Sequence, residues 1–435
     1  MKEMVTGFSK KSKSEKARWV AETFASDPKH TLEVFETYTH PNTAVQELHD
    51  EFIENTLANY YLPFAIAPNF IIDQKVYAIP MVIEESSVVA AASKAAKFWS
   101  DKGGFHTEII GTEKVGHVHL NYYGAPETLV AFFEAHRSDF EAALKPLTAS
   151  MEKRGGGIRS IKLIDQTQKL KGYYHLALHF ETADAMGANF INSCLEQLAN
   201  DFRTKASEAF STEEAPEVVM SILSNYVPHC VVRAWVRCPV DQLSYEGIDG
   251  ATFAKKFCRA VAIAHAEPYR AVTHNKGIMN GIDAVVIASG NDFRAVEAGV
   301  HAYASRDGHY RSLTKAHVTS SNELHFELEI PLALGTVGGL TALHPLVKQA
   351  LDLLGRPSAK DLMRITAVAG LAQNFAAVSS LVTTGIQKGH MKMHLLNLLN
   401  AEGATAIEKE ALIAHFSDKA VSSAAVKEAL NDLRK

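Results

Sequence analysis

A lysine set among glycines and amides is the part of this chain best suited to chemistry. The segment His274-Asn275-Lys276-Gly277-Ile278-Met279-Asn280-Gly281 is followed by an acid, Asp292, sixteen residues after the lysine. An ammonium group in such a setting can polarise a carbonyl oxygen and stabilise the negative charge that develops on it. Glycines at 277 and 281 would let the backbone approach a ligand closely. Taken alone, each piece is better explained as a surface turn followed by an apolar strand at 284–288.

Two adjacent carboxylates, Glu84 and Glu85, precede an alanine-rich helix predicted over residues 86–98, with serine as its N-cap. Adjacent residues of an extended chain point to opposite sides, so one carboxylate can face a pocket. A carboxyl group in a partly apolar pocket has a raised pKa and can donate a proton. The alternative is that both acids only stabilise the helix N-terminus, and without further context that alternative is favoured.

A second candidate site lies where a predicted helix follows a strand. No Gly-x-Gly-x-x-Gly motif follows a predicted strand, so a Rossmann nucleotide site is not supported. Instead, Asp184-Ala185-Met186-Gly187-Ala188-Asn189 opens a helix. Small residues at a helix N-terminus allow backbone N–H groups to face a pyrophosphate. Because many helices begin in this way, the pattern is weak evidence when taken alone.

The composition is that of an ordinary globular chain, with 435 residues of which 47% are hydrophobic and 21% charged. This length predicts two or three domains. The net charge of −5 argues against nucleic acid as a partner. The four cysteines form no C-x-x-C pair and have no histidine at metal-ligand spacing, which predicts reduced thiols and no metal. Without a signal peptide or a long apolar run, we expect a cytoplasmic protein and no membrane partner.

The order of the predicted elements indicates an α+β fold. From 112 to 224 the chain reads strand-helix-strand twice, which is typical of a split βαβ, ferredoxin-like unit. We predict that this unit is inserted into a large mixed α/β domain formed by residues 1–111 and 225–379. Residues 380–435 are predicted to form a small flap of three short helices, broken near Gly403 and Asp418.

Taken together, these segments resemble the hydroxymethylglutaryl-CoA (HMG-CoA) reductase family, and they occur in that family's order. Residues 184–189 are identical to its dinucleotide-binding motif, and Glu85 with Val88-Val89-Ala90 resembles its acidic motif. Gln387-Lys388-Gly389-His390-Met391 resembles its C-terminal flap motif. The upstream match at Glu54-Asn55 is weaker, because Ala58 stands where the family has glycine. The chain most resembles the soluble bacterial class II enzymes.

The resemblance implies a four-electron reduction of HMG-CoA to mevalonate and CoA, with NADPH or NADH as cofactor. Lys276 would stabilise each oxyanion, and Asp292 would hold Lys276 charged and oriented. Glu85 would supply a proton in the aldehyde step, with Glu84 as the alternative donor. His390 would protonate the departing CoA thiolate, since an imidazole with its ordinary pKa suits that task at neutral pH.

The resemblance also implies which residues bind the ligands. The dinucleotide would lie on Asp184, Ala185, Met186, Gly187, Ala188 and Asn189, in the ferredoxin-like unit. Candidate substrate ligands are Arg270, Asn280, Asn225 and Ser87. For Arg270, a simple surface charge is nearly as good an explanation. Basic and hydroxyl residues between 145 and 154 favour NADPH slightly, because its 2′-phosphate attracts positive charge.

Other expectations complete the sequence-based account. The family builds its site across a dimer interface, so we expect a homodimer or an assembly of dimers. Two alternatives stay open: the same enzyme running oxidatively on mevalonate, and a non-catalytic CoA- or nucleotide-binding relative. The segment Gly370-Leu371-Ala372-Gln373-Asn374 is explained equally well by ligand contact and by helix packing.

Overall fold

The structure is a computed structural model that describes residues 4–383, 385, 395–416, 419 and 421–435. The chain divides into two compact units, Met1–Pro63 and Phe64–Lys435, which are described separately below.

The first unit contains three short helices. They are α1 (Lys13–Phe24), α2 (Pro28–Thr37) and α3 (Thr43–Asp50), after a 3₁₀ turn at Phe8–Lys10. Each helix begins with a side chain that accepts a backbone N–H bond, namely Ser12, Asp27 and Asn42. The ion pair of Lys13 with Asp50, at 2.7 Å, joins α1 to α3. These contacts stabilise helices that bury few residues of their own.

The second unit starts with a two-stranded antiparallel sheet that leads into a helix. Strands β1 (Phe64–Ile72) and β2 (Lys75–Val82) are followed by a turn at 83–87 and then by α4 (Val88–Ser100). The alanine-rich helix predicted here is therefore present. A serine, Ser87, is at the N-cap as predicted, but it has φ 75° and its side chain makes no capping hydrogen bond. Its left-handed backbone, rather than a side-chain cap, turns the chain into α4.

A four-stranded antiparallel sheet with two helices follows. In chain order the elements are β4 (Lys114–Asn121), α5 (Pro126–Glu152), β5 (Gly157–Asp165), β6 (Tyr173–Glu181), α6 (Ala188–Ala209) and β7 (Glu217–Leu223). The strand order β5-β6-β4-β7 is that of a split βαβ unit. Helix α5 extends to Glu152, because Leu144, Thr148 and Met151 continue its buried face. The predicted domain boundaries around this sheet stay a prediction.

A second four-stranded sheet carries the larger hydrophobic core. Its strands, in spatial order, are β3 (His106–Ile109), β8 (Val231–Pro239), β10 (Glu323–Pro331) and β9 (Thr314–Val318). Four helices of this core are α7 (Gly250–Ala266), α8 (Pro268–Ala288), α9 (Phe293–Ala304) and α12 (Ala359–Val382). Strand β10 alternates buried and partly buried residues, as expected when one face meets the core. Helices combined with antiparallel sheets make an α+β fold, as predicted.

Helix α8 corrects one prediction, because residues 274–288 form neither a turn nor a strand. They belong to a single helix of 21 residues. Its buried residues recur every three to four positions, as at His274, Ile278, Ile282 and Val285. A short apolar run such as 284–288 is ambiguous in sequence, and here the helical period prevails.

Helix α12 packs against α8 at the centre of this core. Gly281 of α8 lies so close to α12 that an added Cβ would stand 2.5 Å from the Ala369 carbonyl oxygen. Residues 370–374 are buried, so helix packing explains that segment. Among the described residues, α12 alone is long and apolar enough to span a membrane, and 78% of its apolar window is buried inside the protein. Core burial therefore explains its composition.

The remaining helices complete the unit. They are α10 (Leu340–Leu343), α11 (Pro345–Leu353), α13 (395–401), α14 (Ala406–His415) and α15 (Ser423–Leu433). The last three share a small hydrophobic cluster of their own around Leu399 and Leu430. Three short C-terminal helices were predicted, with a break near Gly403 that the structure shows. The second predicted break, at Asp418, lies outside the described residues.

Candidate active site

The structure brings Lys276 and Glu85 together from distant parts of the sequence. Lys276 Nζ donates to Glu85 Oε2 at 2.5 Å. Lys276 lies on α8, and Glu85 lies in the turn between β2 and α4. The side chains are 58% and 38% exposed, so both groups can reach a ligand. A charged donor and a carboxyl group therefore stand side by side at the surface of a cavity.

That cavity, hereafter the lysine cavity, has a volume of about 670 Å³. Asn280 lines it one helical turn after Lys276, on the same face of α8. Its other ionisable lining groups are Glu84, Asp283, Arg294, Glu297 and His301. Asn280 and the Lys276–Glu85 pair thus form a polar wall of this cavity. Glu84 lines the same cavity, so both candidate proton donors remain.

Buried polar contacts on the other face of α8 fix the position of Lys276. His274 Nε2 lies 2.6 Å from Thr314 Oγ1, and burial lowers the pKa of His274 to about 3. Asn275 donates to the Arg311 carbonyl oxygen at 2.8 Å and accepts from Leu313 N at 3.1 Å. These neighbours of Lys276 therefore hold the helix in place and leave the lysine directed away from the core. The amino-acid sequence alone does not distinguish these two roles.

Three segments of the chain meet at a second cavity of about 370 Å³, hereafter the loop cavity. It is lined by residues 185–190, by 290–292, by 335 and 337–341, and by Met151 and Arg154. Asn291 holds two of the segments together, because its side chain donates to Gly335 O at 2.9 Å and accepts from Gly335 N at 2.8 Å. The predicted dinucleotide motif therefore lies beside the loop that ends in Asp292.

Asp292 does not make the predicted contact with Lys276. Its Oδ1 accepts from the backbone N–H groups of Arg294 and Ala295, both at 3.1 Å, and caps α9. A carboxylate is stabilised at a helix N-terminus, which explains this placement. Asp292 lines the loop cavity, whereas Phe293 and Arg294 line the lysine cavity. The start of α9 therefore borders both cavities.

The dinucleotide motif has a backbone that suits a bound pyrophosphate. Gly187 precedes α6 with φ 94°, and an added Cβ would stand 2.5 Å from Thr182 Cγ2. Only glycine fits this position, which leaves the first backbone N–H groups of a 22-residue helix uncovered by a side chain. Asp184 anchors the motif, since its Oδ1 accepts from Ala359 N at 2.8 Å. The residues present therefore fit a nucleotide diphosphate.

A buried lysine that was not predicted from the sequence supports this motif. Lys114 is 5% exposed, and its Nζ donates to Thr182 Oγ1 and, at 3.0 Å, to the Ala185 carbonyl oxygen. Burial lowers the pKa of Lys114. A lysine inside a strand gives no sign of such a role. Its contact with residue 185 becomes visible only when β4 and the motif are brought together.

The other predicted ligands are scattered. Arg270 lies in the first turn of α8, and burial lowers the pKa of its guanidinium. Asn225 is exposed and lines a small pocket with Lys114 and Met186, near the dinucleotide motif rather than near Lys276. Ser87 lies in the turn that carries Glu85. The role of Asn225 as a substrate ligand therefore stays a prediction.

His390 lies outside the described residues, so its role stays a prediction. Within the described part of the chain, no group of three or more His, Cys, Asp or Glu side chains could hold a metal ion.

A lysine–carboxylate pair on one cavity and a glycine-dependent helix N-terminus on another are what a nucleotide-dependent oxidoreductase needs to act on a carbonyl group. Comparison with known proteins gives the same class. The family model described as hydroxymethylglutaryl-coenzyme A reductase matches residues 13–395. This chain therefore belongs to the HMG-CoA reductase family and is an oxidoreductase, which confirms the resemblance found in the sequence.

Individual relatives agree with this assignment. A 3-hydroxy-3-methylglutaryl-coenzyme A reductase of Archaeoglobus fulgidus is 38% identical, over 95% of this chain and 90% of that protein. A reductase structure from Streptococcus pneumoniae is 35% identical with a TM-score of 0.72, covering 98% of this chain and 99% of the other. A second structure of that organism's class II enzyme, bound to NADPH in open conformations, has a TM-score of 0.71 and covers 94% and 99%.

Proposed function

We propose that this protein reduces HMG-CoA to mevalonate and CoA with two equivalents of NADPH. The observation that carries the proposal is the Lys276–Glu85 pair, 2.5 Å apart on the lysine cavity. The loop cavity, where the dinucleotide motif lies, borders the start of α9, as the lysine cavity does. Membership of the reductase family supplies the substrate.

The side chains of the lysine cavity have distinct parts in this reaction. The reduced nicotinamide supplies the hydride when it is bound. Lys276 places a positive charge where the carbonyl oxygen becomes an oxyanion, and Asn280 lines the same wall. Glu85, as a carboxylic acid, gives its proton to the alcohol oxygen in the aldehyde step. His390 is assigned to the CoA thiolate on the resemblance of its flap motif alone.

The assignment of NADPH rests on charge near the dinucleotide motif. Arg154 lines the loop cavity together with residues 185–190. A guanidinium at that place can pair with a 2′-phosphate, which NADH lacks. The NADPH bound to the class II relative supports the same choice. Within the basic stretch 145–154, residues 145–152 belong to α5, and Arg154 follows the end of that helix. Because Arg154 lines the loop cavity, it is the main candidate to bind the 2′-phosphate.

Partners and location follow the family. We assign HMG-CoA and mevalonate as substrate and product, and a homodimer or an assembly of dimers as the working form. Similarity to the class II enzyme of Streptococcus pneumoniae supports a cytoplasmic location. The oxidative direction would use the same residues, since microscopic reversibility assigns each group the reverse task.

The test is a cofactor-oxidation assay with HMG-CoA, comparing NADPH and NADH through the loss of nicotinamide absorbance. We expect HMG-CoA-dependent oxidation that consumes two cofactors per CoA released, with NADPH preferred. Oxidation of neither cofactor by folded protein would refute the proposal and favour a non-catalytic binding relative. Faster turnover with mevalonate, CoA and oxidised cofactor would instead favour the oxidative direction.

A further inference from the structure

One acid of the lysine cavity has no part in the roles assigned above. Asp283 lies on α8 seven residues after Lys276, which is about two helical turns along the same face. It lines the lysine cavity together with Lys276 and Glu85. Its Oδ1 is buried and has no hydrogen-bond partner within the described part of the chain. A buried carboxyl oxygen without a partner calls for an explanation, because desolvation penalises its charged form.

Asp283 begins a chain of groups that can pass protons. Its neighbour in the cavity wall is Glu297 of α9, whose carboxyl group raises the pKa of Asp283. Glu297 Oε2 lies 3.1 Å from His301 Nε2, and His301 Nδ1 lies 2.8 Å from the Tyr310 hydroxyl. His301 is 36% exposed, so the chain reaches solvent at that end. Each link joins a carboxyl, imidazole or hydroxyl group to the next.

The charges around Asp283 determine where the proton lies. Two adjoining carboxyl groups cannot both ionise easily, so they share one proton. Burial, Glu297 and Glu84 raise the pKa of Asp283, whereas His301 lowers the pKa of Glu297. The other ionisable groups that face the same cavity are Glu84, Glu85, Lys276, Arg294, Glu297 and His301. The proton therefore belongs to Asp283, on the side of the cavity.

We infer that Asp283 stores the proton that recharges Glu85 between turnovers. This rests on the proposed function, in which one proton ends on the alcohol oxygen and one on the CoA sulfur. Glu85 gives its proton to the alcohol oxygen and becomes a carboxylate. The Asp283 O–H bond then breaks, and its proton crosses the cavity through water to Glu85. Asp283 takes a replacement proton from solvent through His301 and Glu297, so no oxidant or reductant is needed.

The first test is Asp283→Asn, which keeps the size of the side chain but holds no exchangeable acid proton. We expect kcat to fall about 10-fold to 100-fold while the KM for HMG-CoA stays near its original value. Added imidazole, a small diffusible acid, should restore much of the loss in the variant and leave the wild type unchanged. Asp307→Asn, an exposed acid after α9, is the matched control and should behave as wild type.

Two results would overturn the inference. One is an Asp283→Asn enzyme with wild-type kcat and pH profile, and the other is a loss of kcat that imidazole does not relieve. If Asp283→Asn fails to fold, Glu297→Gln serves instead. Removing the Glu297 charge lowers the pKa of Asp283, so the alkaline fall in kcat should move to lower pH. An unchanged pH dependence of kcat would contradict the proposal that Asp283 stores the proton.

An infrared measurement separates this inference from the proposed function. At neutral pH the wild type should show the carbonyl stretch of a protonated carboxylic acid, and Asp283→Asn should lack it. This readout needs no turnover. If the protein shows the band but has no reductase activity, the proposed function is refuted and the proton on Asp283 is retained. If the band is absent, the proposed role of Asp283 is refuted, whatever the activity.

Discussion

At the scale of single residues, the site depends on adjacent residues of α8 that face in different directions, some into the core and one into the lysine cavity. His274 and Asn275 point into the protein and bind the β9 region, whereas Lys276 meets Glu85 in the cavity. A helix places successive side chains about 100° apart, so adjacent residues can serve the core and the site. The same spacing puts Asn280 and Asp283 on the Lys276 side. Residue identity predicted the lysine, but only the helix shows which neighbours share its face.

Asp292 provides a prediction at this scale. Asp292→Asn keeps a good N-cap for α9, because an asparagine oxygen can still accept from Arg294 N and Ala295 N. It removes the negative charge beside the dinucleotide motif. If Asp292 acts in the reaction, kcat should fall by about 10-fold or more while the midpoint of thermal unfolding hardly changes. A variant with normal kcat would limit Asp292 to capping α9.

At the scale of elements, the position of the lysine follows from how closely two helices pack. Gly281 allows α8 to touch the backbone of α12 at Ala369. The sequence suggested that Gly277 and Gly281 leave room for a ligand, but the structure separates them. Gly281 serves helix packing, whereas an added Cβ on Gly277 would meet nothing within 4 Å.

The two glycines therefore form a matched pair for mutation. Gly281→Ala should destabilise the protein by about 1–3 kcal/mol, because its Cβ collides with the rigid Ala369 carbonyl. Gly277→Ala should stabilise it by up to about 1 kcal/mol, since alanine favours the helix and the space is open. Equilibrium urea unfolding measures both changes. Equal effects of the two substitutions would contradict the described packing of α8 on α12.

The dinucleotide motif depends on β4 in the same way. Lys114→Met removes one of the two donors to the Ala185 carbonyl oxygen, which then keeps only the Thr182 hydroxyl at 2.7 Å. The dissociation constant of NADPH, measured by fluorescence titration, should rise about 5-fold to 100-fold. Lys162→Met, at an exposed position of β5, is the control and should bind NADPH normally. Unchanged binding by Lys114→Met would mean that the lysine does not position the motif.

At the scale of the whole molecule, the sequence predicted the α+β class and the elements of the β4–β7 sheet. Those elements could be predicted because the strand-helix-strand order occurs twice in the sequence. It could not show that residues 284–288 are helical, since a short apolar run suits either structure. Nor could it find Lys114, Asp283 or the α9 cap made by Asp292, because each depends on contacts between distant segments. The motifs predicted the type of chemistry, whereas the contacts between residues depend on tertiary packing.

The assembly of the protein is a further prediction at this scale. We expect light scattering to give at least twice the mass of one chain, and specific activity to fall when the protein is diluted below its dissociation constant. A fully active monomer at all concentrations would contradict the proposed homodimer. It would leave the contacts within the lysine cavity unaffected.

The central claim, that the Lys276–Glu85 pair carries the reduction, is tested most directly by the kcat of Lys276→Ala with HMG-CoA and NADPH. Lys94→Ala is the matched control, because Lys94 also pairs with a glutamate, Glu246, and is equally exposed at 58%. Losing the charge that faces the oxyanion should lower kcat by about 10³-fold or more in folded Lys276→Ala protein, while Lys94→Ala stays active. Near-normal turnover by Lys276→Ala would contradict the account.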